Sequence, residues 1–237
     1  MPLPLAQVDF NSFLQKNYID IGGIVIVSVV GLGLLLCFIR WRGTFMELLR
    51  VRGPALSRST ITRATLSNVV VNVLYQKPVA DCSRTRWAMH FTMFWGFIGL
   101  AIATTLDAIL NPAAAPLPFL SPVRVVGNVG GVLFMFGVTL SLGRRVVSSS
   151  VRRDSSLGDF LFLGVLFLAG LTGFLTEFLS DLNVVYPDYF VFWSHLLLVS
   201  LLLVTAPFSK FVHAVGRPAL LLVKRLAKEK SDAAASE

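Results

Sequence analysis

The chain has 237 residues, 55% of them hydrophobic, and only 14% are Asp, Glu, Lys or Arg, against about 25% charged residues in soluble domains. A mean hydropathy of +0.74 with 19 Phe excludes a soluble globular enzyme, a disordered tail and a nucleic-acid-binding domain, in spite of a pI near 10.0. The net charge of +8 therefore has to be explained by where the cations fall relative to a membrane.

A bilayer core about 30 Å thick takes roughly 20 apolar residues as a helix. Five stretches have that size: Ile21–Ile39, Trp87–Leu110, Val125–Leu142, Phe160–Phe178 and Tyr189–Phe208. The first follows a polar segment containing Asp9 and Asp20 rather than a basic one, which predicts a retained span and not a cleavable signal peptide. Residues 40–86 carry a run of cations from Arg40 to Arg86 against only Glu47 and Asp81, and the positive-inside rule makes this loop cytoplasmic. Within it, Ser59–Leu74 places apolar residues at helical spacing and predicts an interfacial helix under the bundle.

The link with Arg144, Arg145, Arg152 and Arg153 and the tail with Arg217, Lys224, Arg225, Lys228 and Lys230 fall on the same inner side. The outer side holds the N-terminus, the Pro-rich turn Asn111–Pro122 and the acidic loop with Glu177, Asp181 and Asp188. Few cations besides Lys16 and Arg124 lie there. The expectation is an all-α, multi-pass protein of the cell membrane with five transmembrane helices, N-terminus outside and C-terminus cytoplasmic. Its parts are an outer segment 1–20, a membrane domain 21–213 with the basic inner loop 40–86, and a basic cytoplasmic tail 214–237. The last residues, Asp232–Glu237, are expected to be disordered.

Two cysteines, Cys37 and Cys82, set no disulfide framework and are too few to hold an iron–sulfur cluster. A redox centre would use other ligands, and the chain has three histidines, His90, His195 and His213. His90 lies four residues after Arg86, near the cytoplasmic boundary of the second span, and His213 lies at the same depth after the fifth. Two imidazoles at matched depth on facing helices make a bis-His site for a b-type haem, held without covalent attachment because there is no C-x-x-C-H. Arg84, Arg86, Lys210 and Arg217 are placed for the propionates, the last two at i−3 and i+4 from His213. Gly96 and Gly99 would give clearance for the macrocycle, and Phe91, Phe94, Trp95 and Phe97 could pack on it. The alternative is that His90 and His213 are ordinary interfacial histidines bonded to headgroups or backbone.

His195 and His213 are 18 residues apart, five turns of a continuous helix, so both rings would leave one face about 27 Å apart along the axis. Nothing on the outer half of the second span can pair with His195. It is left to hydrogen-bond a quinone, to ligate a second haem with a residue such as Met135, or simply to pack. Asp107 has two readings as well, a proton acceptor near the outer face or a helix-end residue reaching water.

The ending Pro207-Phe208-Ser209-Lys210-Phe211-Val212-His213, after His195, resembles the last helix of respiratory nitrate reductase gamma subunits. The stretch Arg84–His90 with Phe94-Trp95-Gly96-Phe97 is more similar to the membrane cytochrome b subunits of heterodisulfide-reductase-type and dissimilatory-sulfite-reductase-associated complexes. The resemblance covers roughly residues 20 to 220. It implies a quinone-linked diheme cytochrome b that moves electrons between membrane quinone and a cytoplasmic iron–sulfur partner. By position it implies His90 and His213 as ligands of the inner haem and His195 as a ligand of an outer one, whose second ligand would fall at Leu100. Leucine cannot bind iron, so one haem is expected and a second stays open. A haem-free membrane scaffold for a soluble partner is the competing reading, and the lack of an inverted repeat argues against a transporter.

Overall fold

The computed structural model describes residues 13–51, 54–111 and 117–235. The start of the expected outer segment, Arg52 and the middle of the Pro-rich turn lie outside the described residues. Among the described residues the chain is helical, without strands, in the order α1 (Lys16–Leu49), α2 (Arg58–Asn68), a π-helical turn (Val69–Leu74), α3 (Lys77–Cys82), α4 (Arg84–Leu110), α5 (Pro122–Val147), α6 (Ser149–Arg153), α7 (Leu157–Asp181), α8 (Val185–Thr205) and α9 (His213–Ala235). Helices α1, α4, α5, α7 and α8 are long and apolar enough to cross a membrane, and they coincide with the five expected spans.

Local chemistry explains the helix starts. Ser121 accepts the N–H of Arg124 ahead of Pro122, whose missing donor costs nothing at the first turn. Ser156 and Asp159 form a reciprocal capping box on α7. Ser57 caps α2, and the helix expected over 59–74 is seen as α2 continued by the π-helical turn. The segment expected to be loop from residue 40 onwards is helical as far as Leu49, because Arg40, Arg42 and Glu47 mark where the chain leaves lipid without interrupting a helix. The expected disordered end is helical to Ala235.

The chain divides into two compact units. One contains the residues up to Val27 and Ala88–Leu203; the other contains Ser28–Trp87 and the residues from Val204 on. In the first unit α5 is the central element. A Cβ on Gly96 would come within 2.6 Å of Phe134 Cα and 2.7 Å of the Gly130 carbonyl, and one on Gly137 within 2.6 Å of the Met89 carbonyl. Small residues here let the backbones of α4 and α5 touch, the usual way helices associate in lipid. Gly96 and Gly99 are thus filled by α5 and give no clearance to a macrocycle. On its other side α5 meets α7, with Gly131 against the Phe174 ring and Met135 against Gly170. Phe134, Val138 and Leu166 are buried in this unit.

In the second unit α9 lies along α2. Asn68 Nδ2 donates to the Pro218 carbonyl at 3.2 Å, Arg225 to Ser67 Oγ at 2.8 Å and Lys230 to the Leu49 carbonyl at 3.4 Å. Gly216 leaves room for the Trp41 indole of α1, and Gly33 for Pro207.

Candidate functional site

The fifth span does not run on to His213. Helix α8 ends at Thr205, a 3-10 turn covers Ala206–Phe208, Ser209 is extended at φ −106° and ψ −170°, and a second 3-10 turn, Lys210–Val212, precedes α9. Pro207 causes the break, since it has no N–H to continue the ladder and its ring crowds the carbonyl four residues back. Ser209 completes it by accepting the N–H of Phe211 at 3.3 Å. The five-turn register between His195 and His213 therefore fails, and Lys210 does not share a helix with His213; Arg217, one turn on in α9, does.

His213 opens α9 and is exposed. Its Nδ1 is hydrogen-bonded to the Lys210 carbonyl, so Lys210 meets His213 through its backbone. Both His213 and this partner belong to the second unit, together with Arg217 and Arg86. Arg86 is exposed in the first turn of α4. His90, half-buried in α4, belongs to the first unit.

His195 is also in the first unit, on α8 against α7. Its Nδ1 lies 2.9 Å from the Ala169 carbonyl and 3.2 Å from Thr172 Oγ1. A Cβ on Gly173 would come within 3.1 Å of the ring, so the glycine leaves the space the imidazole occupies. The carbonyl can only accept, which makes Nδ1 the protonated nitrogen and leaves Nε2 as the lone-pair donor. Met135, the sequence candidate for a partner, has its thioether packed on Gly170. The aromatic run packs largely on itself, with Phe91 and Phe94 against Trp95 and Phe97 against Phe134.

Asp107 belongs to a helix-end cluster. Lys16 donates to the carbonyls of Asn111 and Asp107 and lies 3.9 Å from Asp107 Oδ2, a cation at the C-terminus of α4. Two features escaped the reading of the residues. Arg124 of α5 grips Glu177 Oε1 at 2.6 Å and Asp181 Oδ2 at 2.7 Å on α7, while Asn128 donates to Glu177 at 2.9 Å. The i,i+4 spacing of Glu177 and Asp181 was the available signal. Asp188, counted above as a loop residue, is fully buried in the first turn of α8; its seven-residue spacing from His195 was the signal there.

No group of three or more His, Cys, Asp or Glu side chains suited to a metal ion occurs among the described residues. Cys37 and Cys82 are free thiols.

Comparison with known proteins gives a family. Residues 66–221 match the profile of HdrE, the E subunit of dihydromethanophenazine:CoB–CoM heterodisulfide reductase. The E subunits of that reductase from Methanosarcina acetivorans and Methanosarcina mazei are each 26% identical over 179 residues, covering 68% of this chain and 66% and 68% of theirs. The Methanosarcina barkeri protein is 27% identical over 178 residues. The matched stretch thus spans 66% of the Methanosarcina acetivorans relative's length. No solved structure matches. A profile match from α2 through all the later spans to the first turns of α9 places this multi-pass membrane chain in the HdrE family of heterodisulfide reductase subunits.

Proposed function

We propose that the chain is the membrane electron-transfer subunit of a quinone-linked oxidoreductase, a b-type cytochrome working with an iron–sulfur partner subunit on the cytoplasmic side. The observation that carries this reading is the family match, which takes in His90, His195, the break at Pro207 and His213. The relatives' name couples dihydromethanophenazine to a CoB–CoM heterodisulfide. For this chain the corresponding donor or acceptor in the membrane is a quinone-type carrier. The likeness of residues 207–213 to nitrate reductase gamma subunits points to the same electron-transfer role.

His90 and His213 are the residues that would hold the haem iron, and Arg86, Lys210 and Arg217 those that would meet its propionates. His213 fits the role: an Nδ1 held on a backbone carbonyl, here that of Lys210, is the arrangement that orients an imidazole to bind metal through Nε2. Cations cluster near each histidine, Arg84 and Arg86 before His90, Lys210 and Arg217 about His213. A haem held by these residues would supply one-electron redox chemistry. The chain's own contribution is to hold the ligands in orientation. His195 is assigned to the carrier, since Met135 is committed to the α5–α7 seam and its own Nε2 is an acceptor for a carrier hydroxyl. Residues 21–213 form the proposed cytochrome domain, and the basic tail, with α9 on α2, forms the proposed partner-facing surface.

The test is addition of a short-chain quinol to membranes holding the chain and its partner subunit. The expected result is reduction of a b haem, followed by reoxidation when the partner's acceptor is added; a haem that no quinol reduces and no partner oxidises contradicts the proposal.

A further inference from the structure

The α7–α8 interface of the first unit holds polar groups that electron transfer does not use. Asp188 is 0% exposed, and neither of its carboxyl oxygens has a hydrogen-bond partner. A carboxylate in the first turn of a helix ordinarily accepts backbone N–H groups, yet none reaches this one. Thr176 Oγ1 is likewise buried and without a partner. Other threonines of this unit behave differently: Thr92, Thr104, Thr105 and Thr172 each return the hydroxyl to the carbonyl four residues back.

Helical spacing puts these groups on facing stripes of α7 and α8. Asp188 and His195, seven residues apart, share a face of α8 at about 10 Å along the axis. On α7, Thr172 and Gly173 meet the His195 ring, and Thr176 follows one turn later on the same stripe. The stripes run from the depth of His195 towards the turn joining α7 to α8, on the side that the charge distribution makes the outer one. Buried polar atoms without protein partners are completed by ordered water, and in an apolar unit such a row has no packing value.

We infer that Asp188 and Thr176 hold ordered water and form a proton path between the depth of His195 and the outer end of the α7–α8 hairpin. The inference rests on the proposed reading in one respect, that a quinol-type carrier exchanges its hydrogens beside His195. Oxidation of the carrier breaks two O–H bonds. The two electrons leave the carrier for the complex's electron acceptor, and the two protons leave by way of Asp188, which takes each on a carboxyl oxygen and passes it to outer water. Asp188 ends every turnover unchanged, and reduction of the carrier draws protons the opposite way.

Asp188→Asn in the full chain, in membranes with its partner subunit, tests this. Haem reduction by a short-chain quinol should slow about a hundredfold, the scale of a lost proton-transfer group. The KM for quinol, the haem content and the reduced spectrum should stay as in the parent, and Asp188→Glu should recover most of the rate. A second measurement does not depend on turnover. In infrared spectra of the purified chain with isotope-labelled aspartate, the carboxyl band lost in Asp188→Asn should shift on transfer to heavy water. A full quinol rate in Asp188→Asn, a loss of haem that accounts for the slow rate, or a band that heavy water leaves unshifted overturns the inference. If the parent chain oxidises no quinol, the proposed function fails, while the heavy-water shift still decides whether water reaches Asp188.

Discussion

Replacing His213 with alanine is expected to lower haem affinity by at least 10- to 100-fold, the cost of losing even a supporting group of a metal ligand, with the five long helices still folded. The fold should tolerate the change because His213 is exposed at the start of α9. The hydrogen bond lost, to the Lys210 carbonyl, is worth about 1 kcal/mol. What holds α9 in place lies further along, in the bonds from Asn68 to Pro218 and from Arg225 to Ser67. Lys210→Ala keeps the backbone carbonyl that orients the ring but removes a proposed propionate contact, and it should cost less haem than His213→Ala. Absorbance of the reduced protein, normalised to chain, checks both variants. Full haem content in His213→Ala sinks the ligand assignment.

The second large effect is on stability. Arg124→Ala removes one guanidinium that serves both Glu177 and Asp181, and with it the bond to the Leu117 carbonyl at 3.3 Å. Glu177 would keep only Asn128 as a donor, one helical turn from a second carboxylate. Breaking a buried ion pair from one side costs about 3–5 kcal/mol. The Arg124 and Glu177 side chains are 16% and 30% exposed and Asp181 is 52% exposed, so a loss near about 3 kcal/mol is expected. Thermal unfolding of the purified protein in detergent measures it. Arg124→Lys should recover only part, because an ammonium cannot reproduce the fork that spans two carboxylates. A change below about 1 kcal/mol would give the cluster the weight of an ordinary surface pair.

The spans were legible in the sequence because lipid imposes length and apolarity residue by residue, and the five long apolar helices agree with that reading. Helix ends were less legible. Arg40 and Arg42 announce the membrane surface, but nothing in them stops a helix, so α1 continues to Leu49. Pro207 was in plain view, yet the spacing of His195 and His213 was converted into a shared face by assuming an unbroken helix, and the 3-10 turns about Ser209 undo it. Gly96 and Gly99 were read as clearance for a macrocycle. Which group approaches is a tertiary fact, and it is the α5 backbone. Arg124 and its two carboxylates lie 53 and 57 residues apart, too far for any local pattern to join them. Asp188 was hidden differently. Its neighbours Tyr186, Pro187 and Tyr189 suggest a surface loop, and only the packing of α8 buries its carboxyl.

Haem per chain on the purified protein, by pyridine haemochrome against quantitative amino-acid analysis, tests the central claim most directly. The account predicts one non-covalent b haem per chain with a reduced-minus-oxidised band. A colourless protein, from a membrane that loads its other b cytochromes, would contradict it and leave a haem-free scaffold for a soluble partner.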